Sequence, residues 1–284
     1  MPELGERAPQ FADGPAVRMA LAIATAELRD AGCDTPRLDA ELLLADAIGT
    51  TRTQLHLAPE RELTLQESDR FAELLRRRRA REPVAYVLGR RAFRYIELTI
   101  DERVLVPRPE SEGLVEVGLR LPTGARVVDV GTGSGAIALA LKHERPDLEV
   151  LGTDVSADAL EVARGNARAL QLDVTFVQGD LLDAVPGELD AVLSNPPYVA
   201  KRDLPTLQPE VTAEPDVAVF GGLDGFEIVR RLVPAALRRA PLVAIEVGMG
   251  MAQTVGGMLR EAGAASIEVR RDLAGIERVV VGRR

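Results

Sequence analysis

Hydrophobic residues recur every three or four positions through residues 15–81, and short uninterrupted apolar runs replace that pattern further along the chain. The helical spacing is carried by AVRMALAIATAELRDAG, PRLDAELLLADAIG and LTLQESDRFAELLRRRRAREP, and it predicts three amphipathic helices. Thr64 lies three positions before Glu67, a spacing typical of a capping box at the start of the third helix. We therefore predict a small helical domain over residues 1–90.

A different alternation links this region to the rest of the chain. The segment RAFRYIELTIDERVLVPRPE alternates apolar and polar residues around the turn-like IDER. Such alternation is typical of half-buried strands, so the segment predicts a β-hairpin with its turn at residues 100–103. We expect the hairpin to form a linker over residues 91–108.

From residue 109 onward, strand-like and helix-like segments alternate. The apolar runs VVDV, VLGTDV, VTFVQGD, DAVLSN and LVAIEVG are separated by stretches long enough for helices. This order predicts an α/β domain over residues 109–284, with a parallel sheet covered by helices on both faces. The last segment, SIEVRRDLAGIERVVVGRR, is expected to add two strands joined by a turn at Ala274 and Gly275.

The first strand of the α/β region runs into a glycine-rich loop that precedes a helix. The loop consists of Gly131, Thr132, Gly133, Ser134 and Gly135. Glycines allow a tight turn and the close approach of a ligand, and a helix N-terminus favours negative charge. With the next alanine the loop also matches the dinucleotide fingerprint G-x-G-x-x-G/A, so by itself it leaves the choice of cofactor open.

Polar residues also follow the next three strands. Asp154 ends the second strand, where a carboxylate can accept hydrogen bonds from the ribose hydroxyls of an adenosine. Asp180 and Leu181 follow the third strand, and we expect them to accept from an adenine amino group and to pack on its ring. Asn195 follows the fourth strand. Since the carboxyl ends of parallel strands share one edge of the sheet, these residues predict a single ligand site.

Asn195 opens the tetrapeptide Asn195-Pro196-Pro197-Tyr198. Proline cannot donate to a sheet ladder, so the strand must end there. The Asn195 side-chain oxygen and the Pro196 carbonyl oxygen then offer two acceptors to the two donors of a planar NH2 group, with Tyr198 over its flat face. Holding both hydrogens aims the nitrogen lone pair at an electrophile, and such positioning favours a direct displacement without a metal or a nucleophilic triad.

The electrophile that fits best is the methyl group of S-adenosylmethionine. Its sulfonium is positive, which suits a pocket with Asp154, Asp180 and Glu246 nearby. NAD fits less well, because no acid/base pair for hydride transfer is apparent. Cys33 lies in the first helical segment, so cysteine-dependent methylation of a pyrimidine carbon is not expected.

Composition narrows the expected partners and location. A net charge of −9 opposes binding to duplex DNA, whose affinity comes largely from phosphate neutralisation, so no direct nucleic-acid partner is expected. The arginine-rich run at residues 76–81 could contact acidic protein or RNA, but it is interpreted as a solvated helix face with some side-chain stems lying on the core. One cysteine, a polar start and the lack of a long apolar run predict a cytoplasmic protein without a membrane span. His56 and His143 have no neighbours at metal-ligand spacing, so we expect no metal.

The combination of GTGSG, Asp154 and NPPY resembles the class I S-adenosylmethionine-dependent amino-methyltransferases, whose Rossmann-like sheet has seven mainly parallel strands. The flanking segments narrow the resemblance to the peptide chain release factor N5-glutamine methyltransferases (the HemK/PrmC family), and it covers the whole chain. These segments are REPVAYVLGRRAF, VLVPRPESEGLVE, SNPPYVAKRDLPTLQPEV, EPDVAVFGGLDGFEIVRR, IEVGMGMAQ and RRDLAGIERVVV. Ser111 departs from the family by replacing a threonine of PRPETE, and Leu181 by replacing an aromatic residue.

The resemblance implies that the acceptor is the glutamine of the Gly-Gly-Gln motif in class I release factors, with S-adenosylhomocysteine as the second product. It also implies that the helical domain docks the release factor, either free or on the ribosome. We expect the protein itself to be a monomer.

The resemblance assigns roles to individual residues. The cofactor would be held by residues 131–135 together with Asp154, Asp180, Leu181 and Asn195. The amide would be held by Asn195, Pro196, Pro197 and Tyr198. Arg108, Pro109 and Glu110 would close the pocket from the linker side.

Two other functions stay open at this point. An amino-methyltransferase acting on adenine or guanine in DNA or ribosomal RNA would carry the same loop motifs, but it predicts a basic groove and a target-recognition segment. A non-catalytic adenosylmethionine-binding module would have no need for paired acceptors of an NH2 group.

Overall fold

The computed structural model describes residues 14–284. The chain divides into two compact units, Met1–Leu88 and Gly89–Arg284. Within residues 14–284, no helix is long and apolar enough to cross a membrane.

Helices make up the first unit. They are α1 (Val17–Asp30), α2 (Pro36–Ala47), α3 (Arg52–Leu57), α4 (Leu65–Arg79) and α5 (Val84–Leu88). α1, α2 and α4 are the three helices that the apolar spacing predicts. The capping box of α4 is confirmed, because the Glu67 amide donates to Thr64 Oγ1 at 3.2 Å and the Thr64 amide donates to Glu67 Oε2 at 2.9 Å.

The short helices α3 and α5 were not predicted from the sequence. α3 begins with its own capping box, in which the amide nitrogen of Gln54 donates to Thr51 Oγ1 and the Thr51 amide donates to Gln54 Oε1. The spacing of Thr51 and Gln54 was therefore a readable signal. At six residues, α3 is too short to show an apolar period.

The arginine-rich run of α4 is only partly solvated. Arg78 Nε donates to Asp39 Oδ2 at 2.8 Å, and each of the two side chains is only 5% exposed. Thr35 Oγ1 donates to the second oxygen of the same carboxylate at 2.8 Å. The interpretation of residues 76–81 as a solvated face is therefore wrong at Arg78, whose charge is paired inside the helical core.

The second unit begins with the predicted hairpin, although its turn lies earlier than expected. β1 (Arg90–Phe93) and β2 (Ile96–Thr99) pair antiparallel, with Phe93 opposite Ile96. The turn is at Arg94 and Tyr95, whereas residues 101–103 follow β2. Arg94 has a positive φ of 50° and its guanidinium pairs with Glu144, so a tertiary ion pair stabilises a turn that the sequence pattern does not reveal.

A seven-stranded sheet, counted within residues 14–284, forms the centre of the second unit. Its strands are β3 (Arg126–Val130), β4 (Glu149–Asp154), β5 (Thr175–Gln178), β6 (Ala191–Ser194), β7 (Leu242–Glu246), β8 (Ser266–Arg271) and β9 (Glu277–Arg283). The order is β5-β4-β3-β6-β7-β9-β8. β3 to β7 are parallel, and β9 runs antiparallel to both of its neighbours. The five predicted parallel strands and the C-terminal pair are confirmed.

Helices cover both faces of this sheet. The helices of the second unit are α6 (Glu112–Gly118), α7 (Ala136–Glu144), α8 (Ala157–Leu170), α9 (Pro209–Thr212), α10 (Asp216–Val219), α11 (Glu227–Arg239) and α12 (Ala252–Glu261). Val128 and Val130 of β3 pack into one core with α11 and α12. Asp129, between them, points to the opposite face, where it lies near the Ala138 amide of α7.

Candidate active site

A cavity lies at the carboxyl ends of β3, β4, β5 and β6. Residues of β3, β4 and β6 and the loop directly after β5 contribute to its wall, as expected for a ligand site in an open α/β sheet. The sequence-predicted residues that line it are Gly131, Gly133, Asp154, Asp180, Leu181, Asn195, Pro196 and Pro197. The tertiary structure thus brings together one or more residues from each predicted motif.

The glycine-rich loop passes directly from β3 into α7. The amides of Gly131 and Thr132 donate to the Thr153 carbonyl oxygen at 2.8 and 3.0 Å, which ties the loop to β4. Gly133 has a φ of 55° and a Cβ at this position would meet no atom within 4 Å, so its backbone faces open space. A ligand can therefore approach the peptide backbone closely at Gly133.

Three residues of the predicted loop set do not line the cavity within the described part of the chain. Thr132 is buried and its Oγ1 donates to Asp129 Oδ2 at 2.7 Å. The carbonyl oxygen of the buried Ser134 accepts from Asn166 Nδ2 at 3.0 Å. Gly135 has a φ of 84°, and a Cβ there would lie 2.9 Å from Leu139 Cδ1. These residues hold the loop in shape.

Asp154 is held by backbone amides on both sides of its carboxylate. Gly133 donates to Oδ2 and Ser156 donates to Oδ1, each at 2.9 Å. Burial raises the pKa of Asp154, while these amide donors lower it. Each carboxylate oxygen has two lone pairs, so the group retains acceptor capacity for a ligand in the cavity.

The Asp180 carboxylate is less available than the sequence led us to expect. It forms an ion pair with Arg231 of α11 and is about half exposed. Leu181, which follows it, has a positive φ of 54° and lines the cavity. A non-glycine residue in this conformation costs about 1–2 kcal/mol, so the surrounding structure must impose it.

The tetrapeptide after β6 is supported by close backbone packing. The Val199 amide donates to the Val219 carbonyl oxygen at 3.1 Å, and the Gly221 amide donates to the Val199 carbonyl oxygen at 2.9 Å. A Cβ at Gly221 or Gly225 would collide with the carbonyl oxygens of Pro197 or Tyr198. The glycines of FGGLDG therefore allow a second loop to lie directly against the tetrapeptide.

Tyr198 lies beside the cavity and not in its wall, among the residues that the structure describes. A Cβ on Gly248 would lie 3.1 Å from the Tyr198 ring, so the loop after β7 packs against this ring. Burial and the nearby Glu246 carboxylate raise the pKa of Tyr198 to about 12. The phenol is therefore neutral at physiological pH.

Neither Arg108 nor Glu110 lines the cavity in the described chain. Arg108 Nη2 donates to Glu214 Oε2 at 2.6 Å, and Glu214 also accepts from the Val106 amide at 3.2 Å. Glu110 lies 3.8 Å from Arg278. The buried Glu214 thus anchors the segment after the hairpin to the loop between α9 and α10.

The sequence did not single out the residues that cover the cavity. Val104 and Leu105 come from the segment after β2, while Val217 and Ala218 come from α10. All four are apolar and lie in segments that carry the family resemblance, but no individual role was predicted for them, and only the tertiary structure brings them to the site.

Glu246 was expected to face the cofactor, but it does not line the cavity within residues 14–284. Its carboxylate is buried and accepts a hydrogen bond from Ser111 Oγ at 2.6 Å. Ser111 in turn accepts a hydrogen bond from Asn195 Nδ2 at 3.0 Å. Glu246 is therefore connected to the site through Asn195.

The fold is that of known methyltransferases. A methyltransferase from Pyrococcus furiosus superimposes with a TM-score of 0.52 and 19% identity, covering 66% of this chain and 87% of that chain. The hMettl16 catalytic domain, in complex with MAT2A 3′UTR hairpin 6, gives a TM-score of 0.54 and 18% identity, covering 66% of this chain and 75% of that one. At these identities the likeness concerns the fold alone.

Sequence comparison is more specific. Residues 19–89 match the family described as PrmC N-terminal domain, and residues 111–212 match the methyltransferase small domain. The release factor glutamine methyltransferase of Rhodospirillum rubrum is 41% identical over 265 residues, which cover 90% of this chain and 82% of that protein. The protein of the same name from Deinococcus radiodurans is 42% identical, covering 94% of this chain and 98% of its own length. Relatives this similar along both units show that the chain belongs to the family of release factor glutamine methyltransferases.

Proposed function

We propose that this protein transfers a methyl group from S-adenosylmethionine to the side-chain amide nitrogen, N5, of the glutamine in the Gly-Gly-Gln motif of a class I release factor. The observation that carries the proposal is the position of Asn195, Pro196 and Pro197 in the wall of the same cavity as Gly133 and Asp154. The proposed acceptor for an amide and the proposed cradle for an adenosine cofactor would thus share one site. The reaction belongs to translation, so we place it in the cytoplasm.

The residues of the cavity fit the proposed cofactor. The open backbone at Gly133 leaves room for a ligand against the loop, and the Asp154 carboxylate has free lone pairs for ribose hydroxyls. Leu181 offers an apolar side chain to the adenine, and we assign Asp180 the weaker role because Arg231 already pairs with it. When bound, the cofactor would supply an electrophilic methyl group next to carboxylates that stabilise its positive charge.

The protein's own contribution is to hold the glutamine amide. Asn195 Oδ1 and the Pro196 carbonyl oxygen would accept the two amide hydrogens, leaving the nitrogen lone pair directed at the methyl group. Positioning at an attack distance of about 3–3.5 Å accounts for much of the rate of such a displacement. The neutral Tyr198 phenol, which lies beside the cavity, would add no charge next to the bound amide.

We further propose that the helical unit docks the release factor and that the catalytic unit takes the glutamine. The match of residues 19–89 to the PrmC N-terminal domain supports a family-specific role for the first unit. Free release factor and ribosome-bound factor are both candidate substrates.

The first experiment offers S-adenosylmethionine and three acceptors to the purified protein: a class I release factor, duplex DNA and ribosomal RNA. We expect one added methyl group on the Gly-Gly-Gln glutamine, read by peptide mass spectrometry. In Asn195→Ala the rate should fall by about 10²–10³-fold, which is the loss seen in other enzymes when one group that stabilises the transition state is removed. Release factor carrying Gly-Gly-Glu in place of Gly-Gly-Gln is the matched substrate control.

Methylation of nucleic acid alone would overturn the release-factor proposal and favour the nucleic-acid amino-methyltransferases. Cofactor binding without transfer to any of the three acceptors would favour a non-catalytic binding module.

A further inference from the structure

Three polar side chains from separate elements form a chain of hydrogen bonds behind the cavity. Ser111 ends the 3₁₀-helix Pro109–Ser111, Asn195 follows β6, and Glu246 ends β7. Asn195 Nδ2 donates to Ser111 Oγ at 3.0 Å, and Ser111 Oγ donates to Glu246 Oε2 at 2.6 Å. Ser111 and Glu246 are both buried, so water does not compete for these bonds.

The number of protons that the Ser111–Glu246 pair can donate determines which end of the Asn195 amide faces Ser111. An ionised carboxylate only accepts hydrogen bonds, and a serine hydroxyl has a single proton to donate. With that proton given to Glu246, Ser111 Oγ can only accept from Asn195. The NH2 end of the amide must therefore point to Ser111, and its carbonyl oxygen must occupy the opposite end of the planar group.

We propose that Ser111 is a positioning residue for methyl transfer, whose hydroxyl, held by the Glu246 carboxylate, keeps the Asn195 amide oriented with its oxygen available to the substrate. The inference rests on the proposed function, in which Asn195 Oδ1 accepts from the glutamine amide. The rotated amide would present two donors to the donor hydrogens of the substrate. Binding would then be repulsive where the reaction needs an acceptor.

Titration of Glu246 should give the hydrogen-bonded relay of Asn195, Ser111 and Glu246 a distinctive pH dependence of kcat. Burial, followed by the nearby Glu110, raises the pKa of Glu246 to about 7, whereas Ser111, Arg278 and Arg108 lower it. Tyr198 also lies close enough to sense its charge. Once protonated, Glu246 can donate to Ser111 Oγ, which frees the serine proton to donate to Asn195 Oδ1. The Asn195 orientation is then no longer enforced.

The test compares Ser111→Ala, Ser111→Thr and Glu246→Gln in the full chain. Loss of one hydrogen bond predicts that kcat for release factor falls about 3–10-fold in Ser111→Ala, while the Kd for S-adenosylmethionine from calorimetry stays unchanged. Ser111→Thr keeps the hydroxyl and should retain kcat within about twofold. Glu268→Gln removes a carboxylate of β8 that pairs with Arg270 and Arg283, and it serves as the matched control for Glu246→Gln.

A pH profile separates this role from a merely structural one. Wild-type kcat should decline as the pH falls through about 7, as Glu246 takes up its proton. In Glu246→Gln the decline should be absent and kcat should stay at its lowered value. Thermal unfolding of each variant shows that it is folded at the assay temperature.

The outcomes distinguish the two levels of the proposal. If the wild-type protein does not methylate a release factor, the proposed function fails. If it does, but folded Ser111→Ala turns over at the wild-type rate, the relay is overturned. The same holds if the acidic decline persists unchanged in Glu246→Gln.

Discussion

Glu246 is almost completely buried at the end of β7, and this burial raises the pKa of its carboxyl group to about 7. In the unfolded chain the pKa of a glutamate is about 4.3. Between these values the folded protein binds a proton that the unfolded chain does not, so stability falls as the pH rises through this window. Above pH 7, folding must bury a negative charge. The site therefore keeps a destabilising group, which suits a functional role.

Glu246→Gln should reverse this cost, because the amide has the same shape and no charge to bury. We expect a higher melting temperature than wild type at pH 8, and a difference close to zero at pH 4, below the pKa of the unfolded glutamate, where the wild-type side chain is largely neutral in the folded and the unfolded protein. Thermal unfolding at both pH values measures it. A variant that is less stable than wild type at pH 8 would contradict the interpretation.

Glu268→Gln is the control for the opposite sign. The hydrogen bond from Arg270 holds the pKa of Glu268 below its usual range, so its carboxylate stabilises the fold above the unfolded pKa. This variant should lose stability at pH 8.

At the scale of elements, the junction of β3 and α7 depends on two glycines for different reasons. Gly133 requires a positive φ but faces open space, whereas Gly135 requires a positive φ and packs against Leu139 and Ala163. One glycine leaves room for a ligand and the other lets the helix approach the sheet. The motif thus combines a binding position with a packing position.

Substitution of each glycine by alanine should separate these roles. Gly133→Ala should cost about 1–2 kcal/mol of stability through its backbone, and it should weaken S-adenosylmethionine binding by occupying the cavity. In addition to a similar backbone cost, Gly135→Ala should lose about 1–3 kcal/mol of stability, because the added methyl group overpacks the core. Urea denaturation and calorimetric titration of both variants measure the two effects. Equal losses of stability would contradict the assignment.

For the whole molecule, the two units have separate hydrophobic cores. Leu28, Leu43 and Phe71 belong to the core of the first unit, while Val128 and Val192 belong to that of the second. All residues that line the candidate site belong to the second unit. Cofactor binding should therefore not require the helical first unit.

The fragment 89–284 tests this division. We expect it to fold and to bind S-adenosylmethionine with a Kd within a few-fold of the full chain, but to methylate release factor with a much higher KM, because the proposed docking unit is missing. Circular dichroism, calorimetry and steady-state kinetics measure these three properties. A fragment that methylates as efficiently as the full chain would show that the helical unit does not dock the substrate.

The sequence pattern predicted much of this fold because most of its elements have a signature in neighbouring residues. The five apolar runs became β3 to β7, and Thr64 with Glu67 marked the start of α4. The hairpin turn was misplaced because IDER has turn-like composition, whereas the actual turn at Arg94 is stabilised by an ion pair with Glu144, far along the chain. Local patterns do not register such distant partners.

The candidate site divides in the same way. Gly131, Asp154, Asp180 and Asn195 were predictable, because each follows a strand and parallel strands end at one edge of the sheet. The partners of the site residues were not predictable. Arg231 pairs with Asp180, and Arg108 pairs with Glu214 and does not line the cavity. Ser111 connects Asn195 to Glu246 through hydrogen bonds. Periodicity and strand ends are encoded in neighbouring residues, so the sequence by itself determined the sheet and the loops that carry the chemistry. Hydrogen-bond and ion-pair partners depend on distances between remote elements, so only the tertiary structure decided how those loops are held and oriented.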